Sequence, residues 1–171
     1  QPTLPGLHSF RITKSGIDVF APVVAAPATA LGSRAAGREP LARLKMGVSQ
    51  LDEMLGGGLP QGYSLLVAGP SGSGKSILAS AFLAEGARGG ETGVIAAFEQ
   101  RPTHARSPEL AALIASGQVA LVDSRAPDLS LDETLRLLLA EVARLKATRV
   151  VIDSLSGFEL AIAPTFREDF R

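Results

Sequence analysis

Gly69-Pro70-Ser71-Gly72-Ser73-Gly74-Lys75-Ser76 has the residue types and spacing to hold a chain of phosphates. Its glycines let successive backbone N–H groups converge on phosphate oxygens in conformations that a side chain would obstruct. Lys75 brings positive charge to the terminal phosphates, and the Ser76 hydroxyl is a hard oxygen ligand for magnesium. A helix beginning at Lys75 would point the positive end of its dipole at the same anion. Two carboxylates could complete the chemistry. Asp153 ends the apolar run Val150-Val151-Ile152 and is read as the second magnesium ligand, directly or through water. Glu99 follows the apolar run Val94–Phe98, on the side of a parallel sheet where ligands bind. It is read as the group that orients or deprotonates an attacking water.

Other reactive side chains carry ordinary readings. His8 and His104 are isolated and lack ligand spacing, which assigns them to the surface. Ser154 and Ser156 stabilise the turn after Asp153 rather than acting as nucleophiles. Arg101, Arg106 and Arg125 are read as solvated.

These residues need a scaffold of alternating strands and helices. Tyr63–Ala68 is a short continuous apolar run, as expected of a strand buried on both faces, and it feeds directly into the glycine-rich turn. Lys75–Arg88 reads as a helix with Ile77, Leu78, Ala81 and Phe82 on one face. Val94–Phe98 is a second strand, Pro108–Ala115 a helix, and Val119–Val122 a third strand. Ser130-Leu-Asp-Glu133 fits a capping box and opens a helix to about Lys146, with Leu131, Leu135, Leu138, Val142 and Leu145 facing the core. Arg149–Asp153 is a fourth strand. The fold class is therefore α/β: a mostly parallel sheet flanked by helices, unfinished at its C-terminal end.

Upstream, Ser49 is expected to cap a short helix over Gln50–Leu55 that Gly56-Gly57-Gly58 stops. Prolines, clustered alanines and the lack of a sustained period mark Ala21–Leu44 as linker. His8–Thr13 and Ile17–Phe20 alternate around Lys14-Ser15-Gly16 as a β-hairpin. Two strands alone are marginal, so the hairpin needs support from elsewhere.

Composition narrows the function classes. Lys+Arg and Asp+Glu both number 17, so the net charge is zero, and no basic stripe is visible; both count against a nucleic-acid partner. A hydrophobic share of 46% supports a packed core, and the absence of cysteine excludes disulfide scaffolds and thiolate metal sites. The longest uncharged stretch, Met54–Gly74, is broken by glycines and prolines and cannot be a membrane helix. Gln1–Phe10 lacks the pattern of a signal peptide. A soluble, cytoplasmic protein is the expectation.

Taken together, Gly47-Val-Ser-Gln-Leu-Asp52-Glu-Met-Leu-Gly-Gly-Gly-Leu-Pro60, Gly62, the loop Gly69–Ser76, Phe98-Glu99-Gln100 and Val150-Val-Ile-Asp153-Ser154 resemble the KaiC-like branch of the RecA-fold ATPases. The resemblance covers about residues 45–171. It rests above all on the Gly-Val-x-x-Leu-Asp-x-x-Leu-Gly-Gly-Gly lead-in, which P-loop proteins do not share generally. It implies a RecA-like P-loop core, ATP and magnesium, and a homo-oligomeric, hexameric ring with nucleotide between subunits and regulatory protein partners. It assigns phosphate binding to Gly69–Ser76, magnesium to Ser76 and Asp153, and catalysis to Glu99 and Lys75. Two departures stand out. The segment Arg101–Glu109 is short for the helix that the family usually carries there. The family usually carries two acidic residues after the second strand, whereas here the pair is Glu99-Gln100, so slower hydrolysis is expected.

The opening hairpin resembles the closing strands of a preceding domain. That divides the chain into the end of one domain (1–25), a linker (26–44) and the first part of a KaiC-like domain (45–171). Two other functions fit the same residues: a nucleotide-binding interaction module with negligible turnover, and a DNA recombinase or helicase relative.

Overall fold

A continuous apolar strand can be buried only if both faces of its sheet are covered, and the chain meets this condition by alternating strands with helices. The computed structural model describes residues 9–20, 41–97, 107–123 and 131–154, apart from the side chains of Ser9, Asp123 and Leu131. In chain order the elements are β1 (Ser9–Thr13), β2 (Gly16–Phe20), β3 (Arg43–Leu44), α1 (Ser49–Met54), β4 (Leu59–Pro60) and α2 (Lys75–Arg88). There follow β5 (Gly93–Ala97), α3 (Pro108–Ala115), β6 (Val119–Asp123), α4 (Leu131–Leu145) and β7 (Arg149–Asp153).

The central sheet is parallel, in the order β6-β5-β7, with Gly93 opposite both Val119 and Arg149. Alternation along β5 splits its side chains between two layers. Val94 and Ala96 join Ala120, Val122 and Leu138 of α4 in one apolar cluster, with Val142 and Leu145 packed against it. Ile95 joins Leu83 of α2, Leu110 of α3 and Val119 in the other. The fold is thus α/β, a three-stranded parallel sheet with helices on both faces, as in a RecA-like P-loop core.

Local signals account for most boundaries. The Ser107 hydroxyl accepts from the Leu110 N–H at 3.1 Å and Pro108 follows it, so α3 starts with a side-chain cap and a preset φ. The short helix α1 differs from expectation at its start. Val48 occupies the capping position, Ser49 is already helical, and no side chain caps the end. Support for this segment comes instead from Asp52, whose Oδ1 accepts from the Met46 N–H at 2.6 Å. Gly56, Gly57 and Gly58 then end the helix with positive φ, as expected.

Two further expectations are corrected. Tyr63–Ala68 belongs to no described strand and is exposed throughout, with Leu66 at 74%. An apolar run specifies what a strand would bury, and only a partnered edge and covering layers make the burial happen. Among the described residues, β7 pairs on one side only, with β5. Of the expected face of α2, Phe82 is buried and Leu78 and Ala81 are half-buried, but Ile77 is 73% exposed, and Ser80, Leu83, Ala84 and Gly86 are buried beside Phe82.

The hairpin forms with register Thr13↔Gly16. Among the described residues it joins no other strand, and α4 holds it. Arg11 Nε and Nη2 donate to Glu133 Oε1 and Oε2, both at 2.8 Å, and the Arg136 guanidinium lies 5.3 Å from the Phe20 ring centre. No helix among the described residues is long and apolar enough to cross a membrane. Phe98–Arg106, Arg125, Ser130, Ser156 and His8 lie outside the described residues.

Candidate functional site

The phosphate-type loop runs into α2 through backbone conformations that require glycine. Gly72 has φ 81° and Gly74, which caps α2, has φ 91° and ψ 8°, in the left-handed region that a Cβ disfavours. No side chain caps α2 and no acidic residue occupies its first turn. Its leading N–H groups and positive dipole end are thereby left to an external anion. Residues 69–73 are exposed and Gly74, Lys75 and Ser76 half-buried, so the loop is open to a ligand.

Two side chains of the loop are already held. Lys75 Nζ donates to the carbonyl oxygens of Gly69 at 2.9 Å and Pro70 at 2.8 Å, folding the ammonium back over its own loop. Ser76 Oγ donates to Asp153 Oδ2 at 2.8 Å. This joins residues 77 apart in sequence, because α2 starts where β7 ends. A hydroxyl beside a carboxylate is a set of hard oxygen donors, which fits magnesium. Among the described residues no group of three or more His, Cys, Asp or Glu side chains is placed to hold a metal ion. A metal here would therefore take most of its remaining ligands from substrate and water, as magnesium commonly does.

Glu99 and Gln100 lie outside the described residues, as do His104, Arg101 and Arg106. The last residue of β5, Ala97, pairs with Asp153, so β5 ends beside the Ser76–Asp153 contact, two positions before Glu99 in sequence. Ser154 is half-buried directly after Asp153.

Sequence reasoning missed Arg149, which is 3% exposed at the start of β7. Its Nε and Nη2 donate to the Glu91 carboxylate at 3.0 and 3.1 Å, and Nη1 donates to the carbonyls of Lys45 at 2.6 Å and Phe82 at 2.8 Å. The guanidinium also lies 4.5 Å from the centre of the Phe82 ring. Hydrogen bonds from Arg149 hold the Glu91 carboxyl below the usual 4.5; burial opposes this and a hydrogen bond from Thr148 adds to it. The available signal was Gly86 inside α2, where a Cβ would run into the Arg149 side chain. A helix-interior glycine often marks a close approach.

Fold and loop together define a P-loop protein with a RecA-like α/β core. A family model described as "ATPase: KaiC" matches residues 44–171. The chain belongs to the KaiC ATPase family. It is 33% identical to the circadian clock oscillator protein KaiC of Rippkaea orientalis, over 90% of this chain and 29% of that protein. The KaiC of Picosynechococcus sp. is 32% identical over 90% of this chain and 30% of its own length. KaiC 1 of Synechocystis sp. is 31% identical over 90% of this chain and 29% of its own length. The chain therefore spans about 30% of the length of the curated relatives it matches.

Proposed function

We propose that this chain binds ATP with magnesium at Gly69–Ser76 and Asp153 and, with Glu99 acting on water, hydrolyses it within an oligomeric ring. The observation that carries the reading is the 2.8 Å hydrogen bond from Ser76 to Asp153, which brings the two expected magnesium ligands together. Glycine-bearing backbone and the α2 N-terminus cradle the phosphates. Lys75 exchanges its hold on the Gly69 and Pro70 carbonyls for the terminal phosphates. Ser76 and Asp153 would hold magnesium, which neutralises charge on the terminal phosphate oxygens when bound. Glu99 orients the water and takes its proton, and the neutral Gln100 beside it slows the step.

We further read residues 1–25 as the close of a preceding domain, 26–44 as linker and 45–171 as the first part of the ATPase domain. The ring, a regulatory role exercised through protein partners and a cytoplasmic location complete the proposal. The relatives named above are clock oscillator proteins, which supports the regulatory reading.

Lys75→Ala tests the proposal. Titration calorimetry should show ATP·Mg affinity falling at least tenfold, about 1.4 kcal/mol, with the thermal melt unchanged. Undiminished binding would remove the nucleotide reading.

A further inference from the structure

Magnesium demands near-ideal geometry, with metal–oxygen distances of about 2.0–2.1 Å, so its protein ligands must be placed to a few tenths of an ångström. Ser76 rides on α2 and Asp153 on β7. A shift of one element against the other by about 1 Å along the line of their 2.8 Å contact would take it outside hydrogen-bond range. Something must prevent that shift.

Leu83 of α2 and Val151 of β7 share an apolar cluster, which has no fixed direction, whereas Arg149 joins the two elements away from the loop by directed hydrogen bonding. It stands at the first residue of β7, and Asp153 is the last. At the strand rise, the two are about 13 Å apart. Its Nη1 donates to the Phe82 carbonyl of α2, six residues beyond Ser76, or about 9 Å along the helix. The same nitrogen holds the Lys45 carbonyl of the lead-in, and Glu91, just past α2, takes the other edge of the guanidinium in a bidentate pair. The fork is planar and rigid, so satisfying these acceptors together fixes both distance and angle. Gly86 leaves room for it on the helix side.

We propose that Arg149, locked by Glu91, is a positioning residue for the magnesium pair: it sets α2 in register with β7 and so holds Ser76 against Asp153. The inference rests on the nucleotide reading above. It assigns the metal-dependent part of binding to a cluster that touches neither nucleotide nor metal. The phosphate cradle lies on one continuous segment, Gly69–Ser76, and does not need that register; the metal site does.

The test uses the full chain and a fluorescent ATP analogue, titrated once in excess EDTA and once in magnesium. In Arg149→Lys and in Glu91→Ala, metal-free affinity should stay at the parent's value. The tightening produced by magnesium should fall roughly tenfold, as found for groups that orient metal ligands indirectly. Lysine keeps the charge but cannot make the bidentate pair. Should the lysine variant fail to melt cooperatively, Glu91→Ala decides, because Glu91 is 28% exposed and tolerates truncation better. Full retention of the magnesium effect overturns the inference and leaves the nucleotide reading intact. Equal losses with and without magnesium also overturn it, since they mark a merely structural role. A parent chain that binds no analogue in either buffer overturns the nucleotide reading, and this inference with it.

Discussion

Gly47 opens the Gly-Val-x-x-Leu-Asp lead-in, and replacing it with alanine should cost far more than its torsion angle alone explains. Its φ is +80°, and a Cβ there would meet the Ala81 carbonyl oxygen of α2 at 2.8 Å and Glu85 Cβ at 3.2 Å. Gly117 is the matched control, with φ +78° and nothing within 4 Å of a built Cβ. Left-handed backbone costs a non-glycine residue about 1–2 kcal/mol at either position. Alanine also narrows the unfolded ensemble at both, which offsets about 0.4–1 kcal/mol. Those effects cancel in the comparison. What remains is the contact with a helix carbonyl that cannot swing aside, an overpacking cost of about 1–3 kcal/mol. Gly117→Ala should therefore destabilise by about 1 kcal/mol and Gly47→Ala by about 3 kcal/mol. Urea titration followed by far-ultraviolet circular dichroism measures both. Equal losses for the two variants would refute the claim that Gly47 is needed for the approach of the lead-in to α2.

Turnover and acid stability give two more tests. Glu99→Gln should keep ATP affinity and lose at least a hundredfold in turnover, about 2.7 kcal/mol of barrier, because an amide cannot take a proton from water. Turnover at the parent rate would place the base elsewhere, while Gln100→Glu should raise the rate if the neutral neighbour is the brake. Folding lowers the Glu91 carboxyl below its usual 4.5, so the unfolded chain binds the extra proton. The stability this contributes is complete above 4.5 and is lost as pH falls through the lowered folded value. The gap in urea midpoint between the parent and Glu91→Gln should accordingly hold above 4.5 and shrink as pH falls below it. A gap that stays constant with pH would mean that the charge of Glu91 contributes nothing.

Much of the site was legible because its signals are local. The Gly69–Ser76 spacing, the helix bounds Lys75–Arg88 and Pro108–Ala115, and Asp153 at a strand end all follow from periodicity and residue type over a few neighbouring positions. Glycines at 72 and 74 declare their own backbone angles. Partnership at a distance is another matter. That Ser76 meets Asp153, that the hairpin leans on α4 through Arg11 and Glu133, and that Arg149 lies buried under Glu91 depend on which elements pack together. A charge at a strand start reads as solvated until its acceptors are brought to it from α2, the lead-in and the turn before β5. Exposure fails the same way: Ile77 and Tyr63–Ala68 are apolar in the sequence, yet only a covering layer buries an apolar residue, and here none of the described elements supplies it. Residue chemistry and spacing thus determined which groups could serve phosphate and metal. Packing of α2 against β7 decided which of them stand within a hydrogen bond of each other, because that distance is set by contacts far apart in the chain.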